Sequence, residues 1–224
     1  MNKRFSLITL FIFLVSCIIF SSCSANKNTK ENASETSNID YLVLVNKQNK
    51  LPDNWEDIVQ LEKVSDVYND DCYVEKEVLE KYNELREALL RENVTIELDS
   101  CYRSVSAQEQ IVKDFTEKYG EDYVKKYVAV PGYSEHHTGL AIDICIIKDG
   151  ELVNENDDMI AQREVFAKIH EKLPKYGFIL RYLEGKDEIT GYAYEPWHLR
   201  YVGSEKIAKD ITSRGITLEE YLGK

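Results

Sequence analysis

The chain has few of the residues that usually announce a metal or nucleic-acid site. It carries four histidines among 224 residues, and no two of its five cysteines form a Cys-x-x-Cys pair. Without such a pair a structural zinc knuckle lacks its ligands. Basic residues are also in deficit, 28 Lys and Arg against 40 Asp and Glu, for a net charge of −12. Phosphate binding needs clustered Lys and Arg, so the balance argues against nucleic acid as a partner. The acidity reads as a solvated surface. Cys17 and Cys23 belong to the N-terminal segment, which leaves Cys72, Cys101 and Cys145. Three is odd, so at most one pair can form. They read as small buried side chains in preference to a disulfide.

Residues 1–22 differ from the rest. Lys3 and Arg4 precede an apolar run from Phe5 to about Phe20, the pattern of an export signal. Residues 23–40 are polar and read as a disordered tether. Three attachments stay open: a lipid on Cys17 (in "LVSC"), a lipid on Cys23 (in "FSSC"), or an uncut membrane anchor of about 18 residues, near the lower limit for spanning. All three place residues 41–224 on the extracytoplasmic face of the membrane, anchored through the N-terminal segment.

No internal repeat appears, and residues 41–224 read as one domain. "YLVLVN" from Tyr41 is a strand candidate. Val78, Tyr82, Leu85 and Leu89 recur at helical spacing and line one face. "VTIELDS" alternates like a strand. Ser106 with Glu109 offers a capping box for a helix carrying Ile111 and Phe115. "LAIDICII" is a buried strand. A helix over "AQREVFAKIHEK" ends near Pro174, with Gly177 beyond it. A strand follows Pro196, a short helix starts at Ser204, and Thr217 with Glu220 makes another capping box. Strands and helices alternate without clean βαβ periods. The class is α+β, a small mainly antiparallel sheet with helices packed on one side.

The chemistry lies in three stretches. In "SEHHTGLAID", His136 and Asp143 are too far apart for one helix face, but a bend at Thr138–Gly139 lets a loop present His136 and a strand present Asp143. Asp143 interrupts an apolar run, where an unpaired carboxylate is costly. It needs a cation, either a metal or an Arg or Lys side chain. In "YEPWHLRYVG", Glu195 and His198 stand three apart, and Pro196 favours an extended or turn segment. Two histidines and one aspartate would hold Zn²⁺ with a fourth position open, leaving Glu195 to serve as a base. In "SCYRSVSAQ", Arg103 ends a strand and precedes a helix, placed to steady a developing oxyanion. Loss of one such donor costs about 2.7–4 kcal/mol in the barrier. His137 reads as a non-ligand neighbour, and His170 as part of a solvated helix face. Tyr133, Tyr192, Tyr194 and Tyr201 read equally as cleft lining or core, and Trp197 either as a spacer that fixes the separation of Glu195 and His198 or as core.

Together these motifs resemble the zinc D-alanyl-D-alanine carboxypeptidases of the VanY type, a group that includes VanX-like dipeptidases and LdcB-like L,D-carboxypeptidases. The family pattern Ser-x-His-x-x-Gly-x-Ala-x-Asp fits from Ser134 to Asp143. Glu-x-x-His follows downstream and Tyr-Arg-Ser precedes, in the family's order. "GFILRY", "TGY" and "EPWH" between Gly177 and His198 add to the likeness, which covers about residues 41–224. The resemblance implies the zinc D-Ala-D-Ala peptidase (hedgehog-like) fold. It implies His136, Asp143 and His198 as zinc ligands, Glu195 as catalytic base and Arg103 as substrate and transition-state clamp. Gln108 and Ser134 match positions that hold the substrate's terminal D-residue. The implied activity is removal of the C-terminal D-Ala from peptidoglycan stem peptides, with a possible part in glycopeptide resistance. An L,D-carboxypeptidase on tetrapeptide stems and a non-catalytic wall-binding module are the alternatives. The chain departs from the family at His137, where Gln is common, and at Cys101, where Gly is common.

Overall fold

The β-branched run after Gly139 becomes the spine of the structure. A computed structural model describes residues 39–64 and 72–224. The expected export signal, the two candidate lipidation cysteines and nearly all of the expected tether lie outside the described residues. The strands, in chain order, are β1 (Leu61–Lys63), β2 (Tyr73–Glu75), β3 (Thr95–Ser100), β4 (Ala141–Lys148), β5 (Glu151–Val153), β6 (Phe178–Leu180) and β7 (His198–Tyr201). β1 and β2 form a two-stranded ribbon, and the main sheet runs β3-β4-β7-β6 with β5 paired to β4. Every pairing is antiparallel. β4 therefore has partners on both sides, which is why its residues are apolar almost throughout.

The face expected on the first long helix is the face that packs. Helix Lys76–Leu90 buries Val78, Tyr82, Leu85 and Leu89 in one core with Ile96, Leu98, Ile142, Ile144 and Leu199. Burying each such aliphatic side chain stabilises the fold by about 1.5–3 kcal/mol. Helix Arg163–Lys172 adds Phe166 and Ile169 to the core. It passes into a short 3-10 turn with Pro174 in its first positions, and Gly177 closes that turn in the left-handed conformation, as expected. Helix Glu205–Arg214 starts at the Ser204 cap, and Thr217 with Glu220 forms the expected capping box for helix Leu218–Leu222. Among the described residues, no helix is long and apolar enough to cross a membrane.

Three expectations are corrected. Tyr41–Asn46 forms no strand. Its alternation is real, since Leu42 and Leu44 pack on one apolar cluster and Tyr41 and Val43 on another. However, the carbonyls of Tyr41 and Val43 accept from the Arg200 guanidinium instead of from a neighbouring strand. Helix Val105–Tyr119 is capped by Ser104, whose hydroxyl accepts from the Ala107 N–H. The predicted cap, Ser106, lies inside the helix. Ser104 wins because its backbone is extended and turns the chain directly after Arg103. Finally, Cys72 and Cys101 form a disulfide, and Cys145 is a buried free thiol.

The register of the sheet sets the position of the site. Ser100 pairs with Asp143, and Asp143 pairs with His198. A bulge between Leu98 and Ser100 brings Ser100 opposite Asp143. The disulfide ties the chain just before β2 to the chain just after β3. Closing that 29-residue separation should stabilise the fold by about 2–4 kcal/mol. Urea unfolding of the parent with and without dithiothreitol, and of Cys72→Ser, should show this loss. Identical midpoints would mean that the bridge adds nothing.

Candidate active site

A 3-10 turn at Glu135–Thr138 delivers His136 to the edge of β4. Gly139 ends the turn at φ 70°, and a Cβ there would lie 2.9 Å from a Leu61 methyl, so both conformation and space favour glycine. The Trp55 indole N–H donates to the Thr138 carbonyl, and the Thr138 hydroxyl donates to the Glu135 carbonyl. The turn is thus pinned from both sides.

His136, Asp143 and His198 each offer one ligating atom, and these atoms all lie within 4.8 Å of one another. His136 Nε2 is 3.2 Å from Asp143 Oδ2, and His198 Nδ1 is 3.0 Å from Asp143 Oδ1. The outer ring nitrogens fix the tautomers. His136 Nδ1 lies 2.8 Å from the Cys101 carbonyl oxygen, which can only accept. His198 Nε2 lies 3.1 Å from a Glu135 carboxylate oxygen, which likewise accepts when ionised. Where a ring carries a single proton, that proton therefore sits on the outer nitrogen, and the inner nitrogen turns a lone pair toward Asp143. Asp143 Oδ1 is buried and makes no hydrogen bond, despite its short distance to His198. Lone pairs facing one another in a buried gap are stable around a cation. Two imidazole nitrogens and one carboxylate oxygen are a suitable donor set for a divalent metal with an open fourth position.

The electrostatics show the same demand for positive charge. Burial opposes ionisation of Asp143, but the two imidazoles outweigh it and hold the carboxyl well below its usual range. Burial also opposes charge on His198, yet Asp143 and Glu135 raise its pKa to about 10. A proton on His198 is the alternative to a cation in the gap. His136 moves the other way, lowered mainly by burial.

Glu195 sits just outside the cluster, its Oε2 3.7 Å from His198 Nδ1. Burial raises this carboxyl to about 7, with His198 pulling it down and Asp143 pushing it up. The segment is held from behind by His170, whose Nε2 lies 2.8 Å from the Pro196 carbonyl. His170 is therefore not on a solvated face as expected. It turns inward because its ring packs near Phe166, with centroids 5.8 Å apart. His137 is not a ligand: its Nε2 accepts from the Gly132 N–H and its Nδ1 donates to the Arg103 carbonyl.

Arg103 is held by two side chains. Its guanidinium donates to Gln108 Oε1 at 2.8 Å and to Ser100 Oγ at 2.9 Å. Gln108, fully buried, donates in turn to the Ala129 carbonyl. Burial lowers the pKa of Arg103, offset by Asp143 and Glu195. Arg103, Gln108, Ser134, His136, Asp143, Glu195 and His198 all line one cleft with a cavity volume of about 200 Å³. Its walls include Phe115, Tyr123, Tyr127, Tyr182, Tyr192 and Trp197. Tyr201, by contrast, belongs to the core.

A buried charge cluster beneath the site was missed from the sequence. Glu135, Arg181, Arg200 and Glu219 are each at most 3% exposed. Glu135 Oε1 accepts from Arg181 at 2.7 Å and from Arg200 at 2.6 Å. The signal was available: Arg200 in "HLRY" interrupts an apolar strand just as Asp143 does, and Arg181 in "FILRY" directly follows one.

The comparisons with known proteins match this geometry. Residues 71–204 fit the VanY family of D-alanyl-D-alanine carboxypeptidases. The chain belongs to that family. It is 40% identical over 187 residues to the putative carboxypeptidase YodJ of Bacillus subtilis, covering 82% of this chain and 67% of that one. It is 39% identical to the bifunctional D-Ala-D-Ala dipeptidase and carboxypeptidase VanXYC of Enterococcus gallinarum, covering 80% and 92%. Among solved structures, a zinc complex of the vancomycin-resistance D,D-pentapeptidase VanY superposes with a TM-score of 0.69 at 34% identity, covering 81% of this chain and 98% of that one. The LdcB LD-carboxypeptidase superposes with a TM-score of 0.66 at 38% identity, covering 82% and 86%. The fold is that of the VanY-type peptidases.

Titration of the metal-free VanY-family chain with Zn²⁺ or Co²⁺ should saturate at one ion per chain and raise Tm. Asp143→Asn should abolish the shift. An unchanged shift in that variant would show that the ion binds elsewhere.

Proposed function

We propose that the chain is a zinc-dependent D,D-carboxypeptidase that removes the C-terminal D-Ala from peptidoglycan stem peptides. The observation that carries the reading is the set of lone pairs from His136, Asp143 and His198 turned on one gap, with the Glu195 carboxyl just outside it. Zinc is favoured by this donor set and by the zinc complex of a related VanY. Bound there, it would supply a Lewis acid and activate water at neutral pH.

The remaining chemistry falls to the side chains. Glu195 takes the proton from the attacking water and returns it to the leaving amine, a task suited to a carboxyl whose pKa lies near neutrality. Arg103 donates to the oxyanion that forms on the scissile carbonyl. It is pre-set by Ser100 and Gln108, so little ordering remains to be done at the moment of reaction. Ser134 and Gln108 border the end of the cleft that takes the terminal D-residue. The Cys72–Cys101 disulfide supports an extracytoplasmic location, since such bridges persist in oxidising compartments.

A second reading has specific support. The 38% identity to the LdcB LD-carboxypeptidase keeps removal of D-Ala from tetrapeptide stems in view. Mass spectrometry of matched penta- and tetrapeptide stems, with and without chelator, separates the two. D-Ala lost from the pentapeptide alone supports the proposal. Loss from the tetrapeptide alone assigns the L,D activity.

Glu195→Gln should keep the metal and lose about 10²–10⁴ in kcat. In the parent, kcat/KM should fall as pH drops, because protonated Glu195 can no longer accept. That limb should lie below about 7, since a bound cation favours the carboxylate. Turnover by Glu195→Gln at the parent rate would remove Glu195 from the base role.

A further inference from the structure

We propose that Glu135 is a positioning residue of the metal centre, fixing His198 in the tautomer that turns the Nδ1 lone pair into the gap beside Asp143. This inference rests on the metal-centre reading given above.

The two carboxylate oxygens of Glu135 have separate partners. Oε1 accepts from Arg181 Nε at 2.7 Å and from Arg200 Nη1 at 2.6 Å. Oε2 lies 3.1 Å from His198 Nε2. The arginines thus clamp one oxygen and leave the other for the histidine. Both are themselves anchored. Arg181 makes a two-pronged contact with Glu219, at 2.9 and 2.7 Å, and Asn46 donates to the same carboxylate at 3.0 Å. Arg200 donates to three backbone carbonyls. Glu135 therefore has one position open to it.

The alternative tautomer shows why this matters. His198 Nδ1 is 3.0 Å from Asp143 Oδ1. With the proton on Nδ1, His198 would donate to Asp143 and close the gap with a hydrogen bond inside the protein. A metal would then have to displace that proton. With Glu135 accepting at Nε2, the single proton of the neutral ring is held on the far side, and Nδ1 is the nitrogen left for a metal. A structural role alone accounts poorly for the arrangement, because a buried cluster of four charges is seldom more stabilising than apolar packing. What it adds here is a fixed acceptor behind a metal-binding histidine, and such outer partners typically contribute about 10–100-fold in metal affinity or activity. Helix Leu218–Leu222 enters the same chain of contacts through Glu219.

Three measurements test this. Long-range ¹H–¹⁵N NMR on the parent should find the proton on His198 Nε2, both in the zinc-free chain at a pH where the ring carries a single proton and in the zinc-loaded chain. Chelator competition should give Glu135→Gln a zinc affinity about 10–100-fold below the parent, with an altered Co²⁺ absorption spectrum. Glu219→Gln, which loosens Arg181 and leaves Glu135 in place, should weaken zinc binding less, and it carries the affinity test if Glu135→Gln does not fold. An Nε2 without its proton overturns the proposal. So does zinc affinity within about twofold of the parent in folded Glu135→Gln, or in Glu219→Gln where that variant stands in for it. A parent that binds no zinc sinks the metal reading instead, and the zinc-free NMR result still decides the role of Glu135.

Discussion

The pairing of Asp143 with His198 across β4 and β7 is the constraint on which the rest depends. Antiparallel register places these two side chains side by side without any loop to position them. A slip of one residue would turn Asp143 to the opposite face of the sheet and leave His198 facing an apolar neighbour. Register is therefore worth specifying strongly, and the apolar residues of β4 and β7 do so. His136 then needs a turn of fixed shape, which Gly139, Thr138 and Trp55 provide.

The site is assembled on rigid elements and braced by polar contacts that reach the backbone. His136 is tied to the Cys101 carbonyl, His137 to the Arg103 carbonyl, and His170 to the Pro196 carbonyl. Each of these carbonyls lies within two residues of a cysteine bridge, a clamp residue or the Glu195 base. All four histidines of the chain thus serve one region, two toward the gap and two behind it. The departures at Cys101 and His137 acquire a reason here. Cys101 is bonded to Cys72, and His137 bridges the Gly132 N–H to the strand end that carries Arg103. Both stiffen the loop from which Arg103 and the His136 acceptor are presented.

What was legible in the sequence follows from what periodicity and spacing encode. The buried face of helix Lys76–Leu90, the central strand and the caps at Ser204 and Thr217 are local patterns, and they were readable. The gathering of His136, Asp143 and His198 was expected because Asp143 stands in an apolar run and the motif spacing is specific. The Tyr41–Asn46 segment was misread because alternation reports side-chain burial, and here a guanidinium takes the carbonyls a strand partner would use. The disulfide was missed because pairing depends on distance between remote segments. Glu135 went unread because its partners lie 46, 65 and 63 residues away, and nothing local marks a carboxylate that will be enclosed by them.

The charges that line the cleft bear on what kind of bond the enzyme is built to cut. Glu135, Glu219, Arg181 and Arg200 balance one another beneath the site. Above them, Asp143 and Glu195 are opposed by Arg103. On the proposed reading, a divalent cation turns this deficit of positive charge into an excess of one unit. In a buried cleft an uncompensated charge is costly. A peptide ending in a free carboxylate removes the excess, whereas an internal amide bond with no carboxylate beside it leaves the excess in place. The charge balance thus favours cleavage at the carboxyl end of a peptide.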